Sequence, residues 1–488
     1  MLPMFIDGTR TRGDAAGALD VLNPATEEVL AQVPAGTEHE VDLAVAAAAR
    51  AFPGWRRTPA TERAHRLHQV AALLRQHHND LVRLLTQEQG KPIPESDEEL
   101  VWTEDTLDYY AELGRHERGR VIPPGDPDQF NFVLKEPYGV VGCIVPWNYP
   151  LLLMIWKVAP ALAAGNTVVI KPSVLTPLST LRMAEEAFSA LPPGVVNVVT
   201  GQGSRVGEAL VHHPEVAVIA CTGSLATGQR IAEQAAPLMK KLHLELGGKD
   251  PMVIGPDVEL DLAVRALAYA GLINAGQVCT STERVYVPRQ RLAEFASALA
   301  EFVGGLRLGD GLEPTTDIGP MIRESFRRKV DEQVHEAVDQ GARLLTGGTR
   351  LDRPGFFYTP AVLVDVHHGM RIMREETFGP VLPLMAYDRF DEAVRLANDS
   401  PYGLGASLMS HDPRLVKTFF EEVQAGTIWI NDPLTDNYAG PFGGMKMSGL
   451  GRELGQEGLD EFLQVKHVHW DMVGARKPYW YPYGEGDS

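Results

Sequence analysis

Residues 136–171 carry one formal charge between their ends, Lys157, and the stretch is long enough to raise the question of a membrane span. Its prolines answer that question, because Pro146, Pro150 and Pro160 interrupt any continuous apolar helix of that length. Read in pieces, residues 140–145 are a short β-rich run of the kind buried on both faces of a parallel sheet. Residues 146–149 (Pro-Trp-Asn-Tyr) form a loop, and Pro150 suits a first helical turn, where a missing N–H costs nothing. The helix LLLMIWKVAPALAA follows, with Gly165 placed to end it. Residues 167–170 are a second buried strand, so the segment predicts a βαβ unit inside a soluble protein.

The same alternation recurs downstream. Residues 176–190, 204–212 and 228–235 read as helices, separated by strands at 195–199 and 216–220 and followed by one at 241–246. Such alternation predicts a parallel sheet covered on both faces. A second series starts near 251–254 and runs to about residue 445, predicting a second α/β domain. Ahead of the first series, residues 41–51 and 61–89 space their apolar side chains three and four apart, as amphipathic helices do. Residues 129–135 form a strand-like segment outside both series, and 464–470 resemble it near the C-terminus. The tail Lys477-Pro-Tyr-Trp-Tyr-Pro-Tyr is aromatic and without periodicity.

Charge and cysteine content narrow the function. Asp and Glu number 64 against 45 Lys and Arg, and the net charge of -19 repels nucleic acid and anionic membranes; neither is an expected partner. Only three cysteines occur in 488 residues, with no CxxC spacing. That pattern excludes a disulfide framework and a Cys-rich metal site, and fits a reducing, cytoplasmic setting. The N-terminal residues lack an apolar core of signal-peptide length.

Among the cysteines, Cys143 and Cys221 lie in apolar strand runs and read as core packing. Cys279 sits among small and polar residues (Asn274-Ala-Gly-Gln-Val-Cys-Thr-Ser-Thr) that leave a thiol accessible, so a thiolate there could attack an electrophilic carbon. Glu245 interrupts a strand and precedes two glycines; a carboxylate so placed is either the partner of a buried cation or a base of raised pKa. Asn148 offers a neutral amide donor for an oxyanion, although a lone loop Asn is more often a turn residue. Gly201-Gln-Gly203-Ser-Arg-Val-Gly207 is one residue off a dinucleotide fingerprint and fits an ordinary strand-to-helix turn equally well. Gly223, Ser224 and Gly228 lie between a buried strand and a helix, where free N–H groups suit a phosphate. Lys171 adds a cation at a strand end, a position that for an isolated lysine is usually just solvated. The paired histidines lack metal-ligand spacing, and no metal is expected.

Together these segments resemble the aldehyde dehydrogenase superfamily along essentially the whole chain. The resemblance rests on PWNYP at 146–150, KPS at 171–173, Gly223-Ser224 with Gly228, LELGGKDP at 244–251, GQVCT at 276–280, EETFGPV at 375–381 and PFGGMKMSGLGRELG at 441–455. It implies an α/β fold with two parallel-sheet, Rossmann-like domains and a small β oligomerisation domain. The expected divisions are a cofactor domain of residues 1–118 and 138–248, a catalytic domain of 249–447, and an oligomerisation segment and tail of 119–137 and 448–488. It also implies NAD+- or NADP+-dependent oxidation of an aldehyde to a carboxylic acid, in a homodimer or homotetramer.

By position, the resemblance makes Cys279 the nucleophile, Asn148 an oxyanion donor and Glu245 the base that hydrolyses the thioester, with Lys157 and Glu453 on a proton path. It places Trp147, Lys171, Ser173, Val174, Gly223, Ser224, Gly228, Leu246, Gly247, Glu376 and Phe378 at the cofactor, with Lys171 and Glu376 as its ribose-binding pair. Trp102, Tyr149, Trp156, Val278, Thr280 and Phe442 fall to the substrate pocket. Val174 departs from the glutamate that many NAD-preferring members carry there, which predicts relaxed cofactor choice. Tyr149 and Trp156 resemble the aromatic lining of betaine-aldehyde and aminoaldehyde members, where rings can hold a cation. A betaine or amino aldehyde therefore ranks ahead of an aromatic or aliphatic one. Asp432 and Asp436 could draw a positive group, although loop aspartates are usually solvated. A CoA-acylating enzyme is the nearest alternative, and Glu245 argues against it.

Overall fold

A computed structural model describes residues 1–13, 17–116 and 119–483. The expected boundary at residue 118 and the last five residues of the tail lie outside the described residues. Two large α/β sheets dominate. The first has eight strands, in the spatial order Gly449–Leu450, Lys241–Leu246, Val216–Gly223, Val140–Ile144, Thr167–Lys171, Val196–Val198, Met4–Ile6 and Thr9–Thr11. Its five central strands run parallel, and the strands at both edges are antiparallel. The second has seven strands, parallel except for Arg343–Thr346 at one edge. A three-stranded antiparallel sheet pairs Gln129–Pro137 with Leu463–Asp471 on one side and Gly119–Ile122 on the other.

The apolar 136–171 stretch is the βαβ unit its punctuation predicts. The helix Leu152–Ala164 ends at Gly165, whose φ of +100 is the left-handed conformation that a Cβ would oppose. Pro160 does not break that helix: one lost intrahelical bond is tolerated where nearly every other side chain is buried in the core. Residues 61–89 differ from expectation. They form two helices, Ala60–Gln76 and His78–Gln89, because His77 leaves helical geometry (φ -105, ψ 10). The long helix Ile93–Leu113 is absent from the sequence reading, since its charged and apolar residues share faces instead of separating. The near-fingerprint at residues 201–207 also resolves. Gly203–Gly207 is a single π turn, and Val206 packs so closely on Gly201 that a Cβ there would approach within 2.4 Å. None of the helices among the described residues is long and apolar enough to cross a membrane.

The C-terminal residues serve two sheets. Gly449–Leu450 pairs with the Glu245 strand, and the helix Gly455–Asp460 that follows packs on Leu152–Ala164. Only then does the chain enter the three-stranded sheet.

Candidate active site

Cys279 lines a cleft of about 130 Å³ between the two large sheets, large enough for a small aldehyde. Trp102, Tyr149, Trp156, Val278, Thr280 and Phe442 border it. Trp156 stacks near Phe442 with ring centroids 5.0 Å apart, so the walls are rigid and aromatic. Glu98, Glu99 and Asp436 add carboxylates to this apolar setting. Burial raises Asp436 to about 7 and pushes Glu98 upward as well. Asp436 thus lies against the cleft and not in open solvent, unlike a typical loop aspartate.

The Cys279 loop is set by backbone strain. Asn274, Ala275 and Gly276 have φ values of 51, 53 and 70, three consecutive left-handed residues. A Cβ at Gly276 would stand 2.3 Å from the Gly379 carbonyl, so only glycine fits. Hydrogen bonds hold the strain. The Asn274 N–H donates to the Glu95 carboxylate at 2.9 Å, and Gln89 Nε2 donates to Asn274 Oδ1 at 2.8 Å. Asn148 Nδ2 donates to the Gln277 carbonyl at 3.1 Å, which leaves its second amide hydrogen for another acceptor.

Beneath Asn148 lies a fully buried ion pair, Lys91 with Glu99. Lys91 Nζ donates to the Asn148 carbonyl at 2.9 Å and sits 3.8 Å from the Tyr149 ring centroid. Glu99 accepts the Leu151 and Leu152 N–H groups at 2.8 and 3.1 Å, satisfying the start of the next helix. Sequence reasoning missed Lys91, Glu99, Asn274 and Gln277. Their roles come from residues up to 185 positions apart, and only the run of small residues around Cys279 gave a local signal.

Glu245 stands at the end of its strand facing Cys279, in register with Thr222 on the next strand. Among the described residues its oxygens meet no donor in good hydrogen-bonding geometry, and the Cys279 thiol and Thr222 hydroxyl are the polar groups beside it. Burial first, then the negative charge of Glu453, raises its pKa to about 8. Burial and the Glu245 charge push the Cys279 thiol well above its ordinary range. The two groups therefore rest neutral, and a carboxylate formed here is a strong base. Cys143 and Cys221 are fully buried, with burial raising each to about 12, as packing residues should be. Lys157 and Glu453 form a second fully buried ion pair, and Lys157 also donates to Thr222 Oγ1.

Ser224 caps the helix Leu225–Ala235, its Oγ accepting the Thr227 N–H. A Cβ at Gly228 would come within 2.5 Å of Leu246, so that helix lies tight on the strand. Lys171 is buried, donates only to the Pro172 carbonyl at 2.9 Å, and is lowered to about 8 by burial. Among the described residues this buried ammonium has no carboxylate partner, which suits the hydroxyls and phosphates of a dinucleotide. A further cleft of about 160 Å³ is lined by Gly203 and Gly207 of the near-fingerprint and by Thr227 and Arg230, which the sequence did not single out. Ser173 Oγ accepts the Leu175 N–H, and Val174 beside it is half-buried. Lys171 adjoins Gly207, whereas Glu376 presses on Gly247, so these two flank different parts of the cleft. Trp147 and Phe378 meet edge to face at 5.5 Å. Phe378 (φ 55) is held by Glu283, which accepts the Thr377 and Phe378 N–H groups at 2.8 and 2.7 Å while Lys249 pairs with it at 2.7 Å.

The Cys279 thiol thus faces a buried carboxyl, with the Asn148 amide beside its loop and a second cleft along the helix Leu225–Ala235. The family model described as "Aldehyde dehydrogenase family" matches residues 11–468, and the chain belongs to that family. It oxidises an aldehyde with NAD+ or NADP+. It is 40% identical to a chloroplastic aminoaldehyde dehydrogenase of Arabidopsis thaliana, over 98% of this chain and 97% of that one. It is 39% identical to the NADP(+) succinate-semialdehyde dehydrogenase of Escherichia coli, over 95% and 96%. The crystal structure of betaine aldehyde dehydrogenase from Staphylococcus aureus with NAD+ superposes with a TM-score of 0.96 at 36% identity, covering 99% of this chain and 97% of that one.

Proposed function

We propose that the chain oxidises a betaine or amino aldehyde to its carboxylic acid through a Cys279 thiohemiacetal and thioester, with Glu245 as the hydrolytic base. The observation that carries this reading is the buried Glu245 carboxyl facing the Cys279 thiol, with no cation paired to it among the described residues. Once ionised, Glu245 takes the thiol proton, the sulfur attacks the aldehyde carbon, and Glu245 gives that proton up to the Lys157–Glu453 pair before the water step. The free hydrogen of Asn148 Nδ2 and the Cys279 N–H stabilise the oxyanion. Bound NAD(P)+ supplies the hydride acceptor that turns the thiohemiacetal into a thioester. Glu245 then removes a proton from the water that hydrolyses it, and Lys157 with Glu453 carries that proton away. Trp147, Lys171, Ser173, Val174, Gly223, Ser224, Gly228, Leu246, Gly247, Glu376 and Phe378 would hold the cofactor.

Asp436 and Glu98 in an aromatic cleft favour a cationic aldehyde. An aromatic or aliphatic aldehyde is the second reading, favoured by the apolar walls. Val174 supports use of both cofactors; an NAD+ preference above about a thousandfold in kcat/KM, roughly 4 kcal/mol, overturns it. Residues 119–137 and 463–471 form the assembly sheet of a dimer or tetramer in this reading, with Val465 and Trp470 exposed on it. The remaining divisions follow the two large sheets, 1–118 with 138–248 and 249–447.

The test is NAD(P)H absorbance with an aldehyde panel and no CoA, which should be lost in Cys279→Ser. Turnover that appears only on adding CoA replaces the hydrolytic reading with acyl transfer to a thiol.

A further inference from the structure

The helix Ile93–Leu113 lends Glu98, Glu99 and Trp102 to the aldehyde cleft and Glu95 to the Cys279 loop. It also carries Asp97, Glu104, Asp105, Asp108 and Glu112. The two helices before it set histidines against these carboxylates. His68, on Ala60–Gln76, has Nδ1 2.6 Å from Asp108 Oδ1 and Nε2 2.7 Å from Glu112 Oε1. His78, which starts His78–Gln89, has Nδ1 2.8 Å from Glu104 Oε1 and Nε2 2.9 Å from Asp97 Oδ1. An ionised carboxylate only accepts, so a ring wedged between two of them donates from both nitrogens, as only the imidazolium cation can. A neutral ring turns a lone pair on one carboxylate and loses that bond.

The remaining charges do not cover the loss. Arg75 is shared among Asp108, Asp105 and Glu104 at 2.7, 3.2 and 3.4 Å, and Arg115 pairs with Glu112 at 3.0 Å. On the flanking elements Arg66 is taken by Glu62 at 2.9 Å, and Glu186 lies 3.4 Å from His77. With both rings neutral, Arg75 and Arg115 alone stand against the row Asp97, Glu104, Asp105, Asp108 and Glu112. That row is tied to the cleft. Asp105 accepts the Tyr438 hydroxyl at 3.1 Å, and the Tyr438 ring lies 4.4 Å from that of Trp102. At the far end of the His78 helix, Gln89 holds Asn274.

We infer that His68 and His78 form a proton-dependent clamp: as cations they hold the helix Ile93–Leu113, and with it the Glu98 and Trp102 wall, in place for the aldehyde, and as neutral rings they release it. Both are positioning residues, since neither lines the cleft. Burial alone would lower each ring, but the bonds to Glu112 and Asp108 outweigh it for His68, and those to Asp97 and Glu104 for His78, so both are raised from 6.5. The folded state thus keeps protons that the unfolded chain gives up. The clamp is whole below about pH 6.5, weakens as pH rises from there through the raised values, and loses nothing more above them. The rings are 38% and 20% exposed, so water and salt hold the effect to a few-fold.

The test is the KM of a neutral aldehyde, propanal, for the full-length enzyme at saturating NAD+, at about pH 6 and about pH 9. In the wild type it should rise about fivefold across that interval, as expected for losing two partly exposed clamps. In the double variant His68→Gln, His78→Gln it should already be high at the lower pH and match the wild type at the higher. In His68→Arg, His78→Arg, which keeps both charges, it should stay low throughout. At each pH kcat should differ little among the three enzymes, because neither residue touches the reacting atoms. The Tm gap between the wild type and the glutamine variant should be present at the lower pH and close at the higher. A wild-type KM that does not move with pH overturns the clamp. So does a glutamine variant that shifts KM equally at both pH values, the mark of a plain packing role. If the glutamine enzyme fails to fold, a KM that still climbs at the higher pH in the arginine enzyme overturns it. If propanal is not turned over, the Tm gap decides alone, and one that persists at the higher pH overturns it.

Discussion

Two loops converge on Cys279, and each rests on a buried Lys–Glu pair. Lys91–Glu99 lies under the Asn148 loop, and Lys249–Glu283 lies under the Glu376–Phe378 loop. The pairs look alike but are wired differently. Glu99 caps the start of a helix while Lys91 grips the Asn148 carbonyl and the Tyr149 ring, so that pair addresses the substrate side. Glu283 accepts two consecutive N–H groups and fixes the left-handed Phe378, so that pair addresses the cofactor side. A buried ion pair is weak evidence for stability, because desolvation offsets much of the Coulomb gain. What both pairs secure here is the direction of a loop.

Removing one partner leaves a buried charge, so Lys91→Met and Lys249→Met should each cost about 3–5 kcal/mol in denaturant unfolding. Kinetics should then separate them. Glu99→Gln should lower kcat by about a hundredfold through the misplaced oxyanion donor, leaving the cofactor KM alone. Glu283→Gln should raise the NAD(P)+ KM about tenfold with the smaller change in kcat, since about 1.4 kcal/mol of loop ordering is enough for that factor. If both variants moved the same parameter, the division into two sides would fail.

Smaller changes sharpen the substrate side. Asp436→Asn should raise the KM of a cationic aldehyde about fivefold, roughly 1 kcal/mol, without changing that of a neutral aldehyde of equal length. The Cys279 loop should also respond to pH. Burial raises Glu95 to about 8 in the fold, from an ordinary value of 4.5. The folded state therefore binds the extra proton, and stability falls as pH rises from about 4.5 to about 8, with no further loss above that. Glu95→Gln should flatten the fall in Tm between about pH 4.5 and pH 8, whereas an unchanged slope would remove Glu95 from the account.

The fold was legible where periodicity and punctuation agreed. The apolar 140–170 unit read clearly because three prolines and Gly165 divide it into pieces of strand and helix length. The helix Ile93–Leu113 did not, because its buried Glu99, Glu104, Thr103 and Ser96 mask the apolar face. Those residues are buried for the sake of partners elsewhere in the chain, and no local pattern announces them. The break at His77 shows the same limit, since neither flanking sequence carries a glycine or proline to mark it.

The site divides along the same line. Local chemistry distinguished Cys279 from Cys143 and Cys221, because small polar neighbours against apolar strand neighbours is a difference written into a few consecutive residues. It also singled out Glu245, a carboxylate inside a buried strand. Only the tertiary structure decided what surrounds them: Lys91 on Asn148, Glu283 on Phe378, and Asp436 against the cleft. The sequence determines which residues can be reactive, since that depends on side-chain chemistry and immediate neighbours. Burial and distance determine which protons they hold and where those protons go, and both are set by segments hundreds of residues apart.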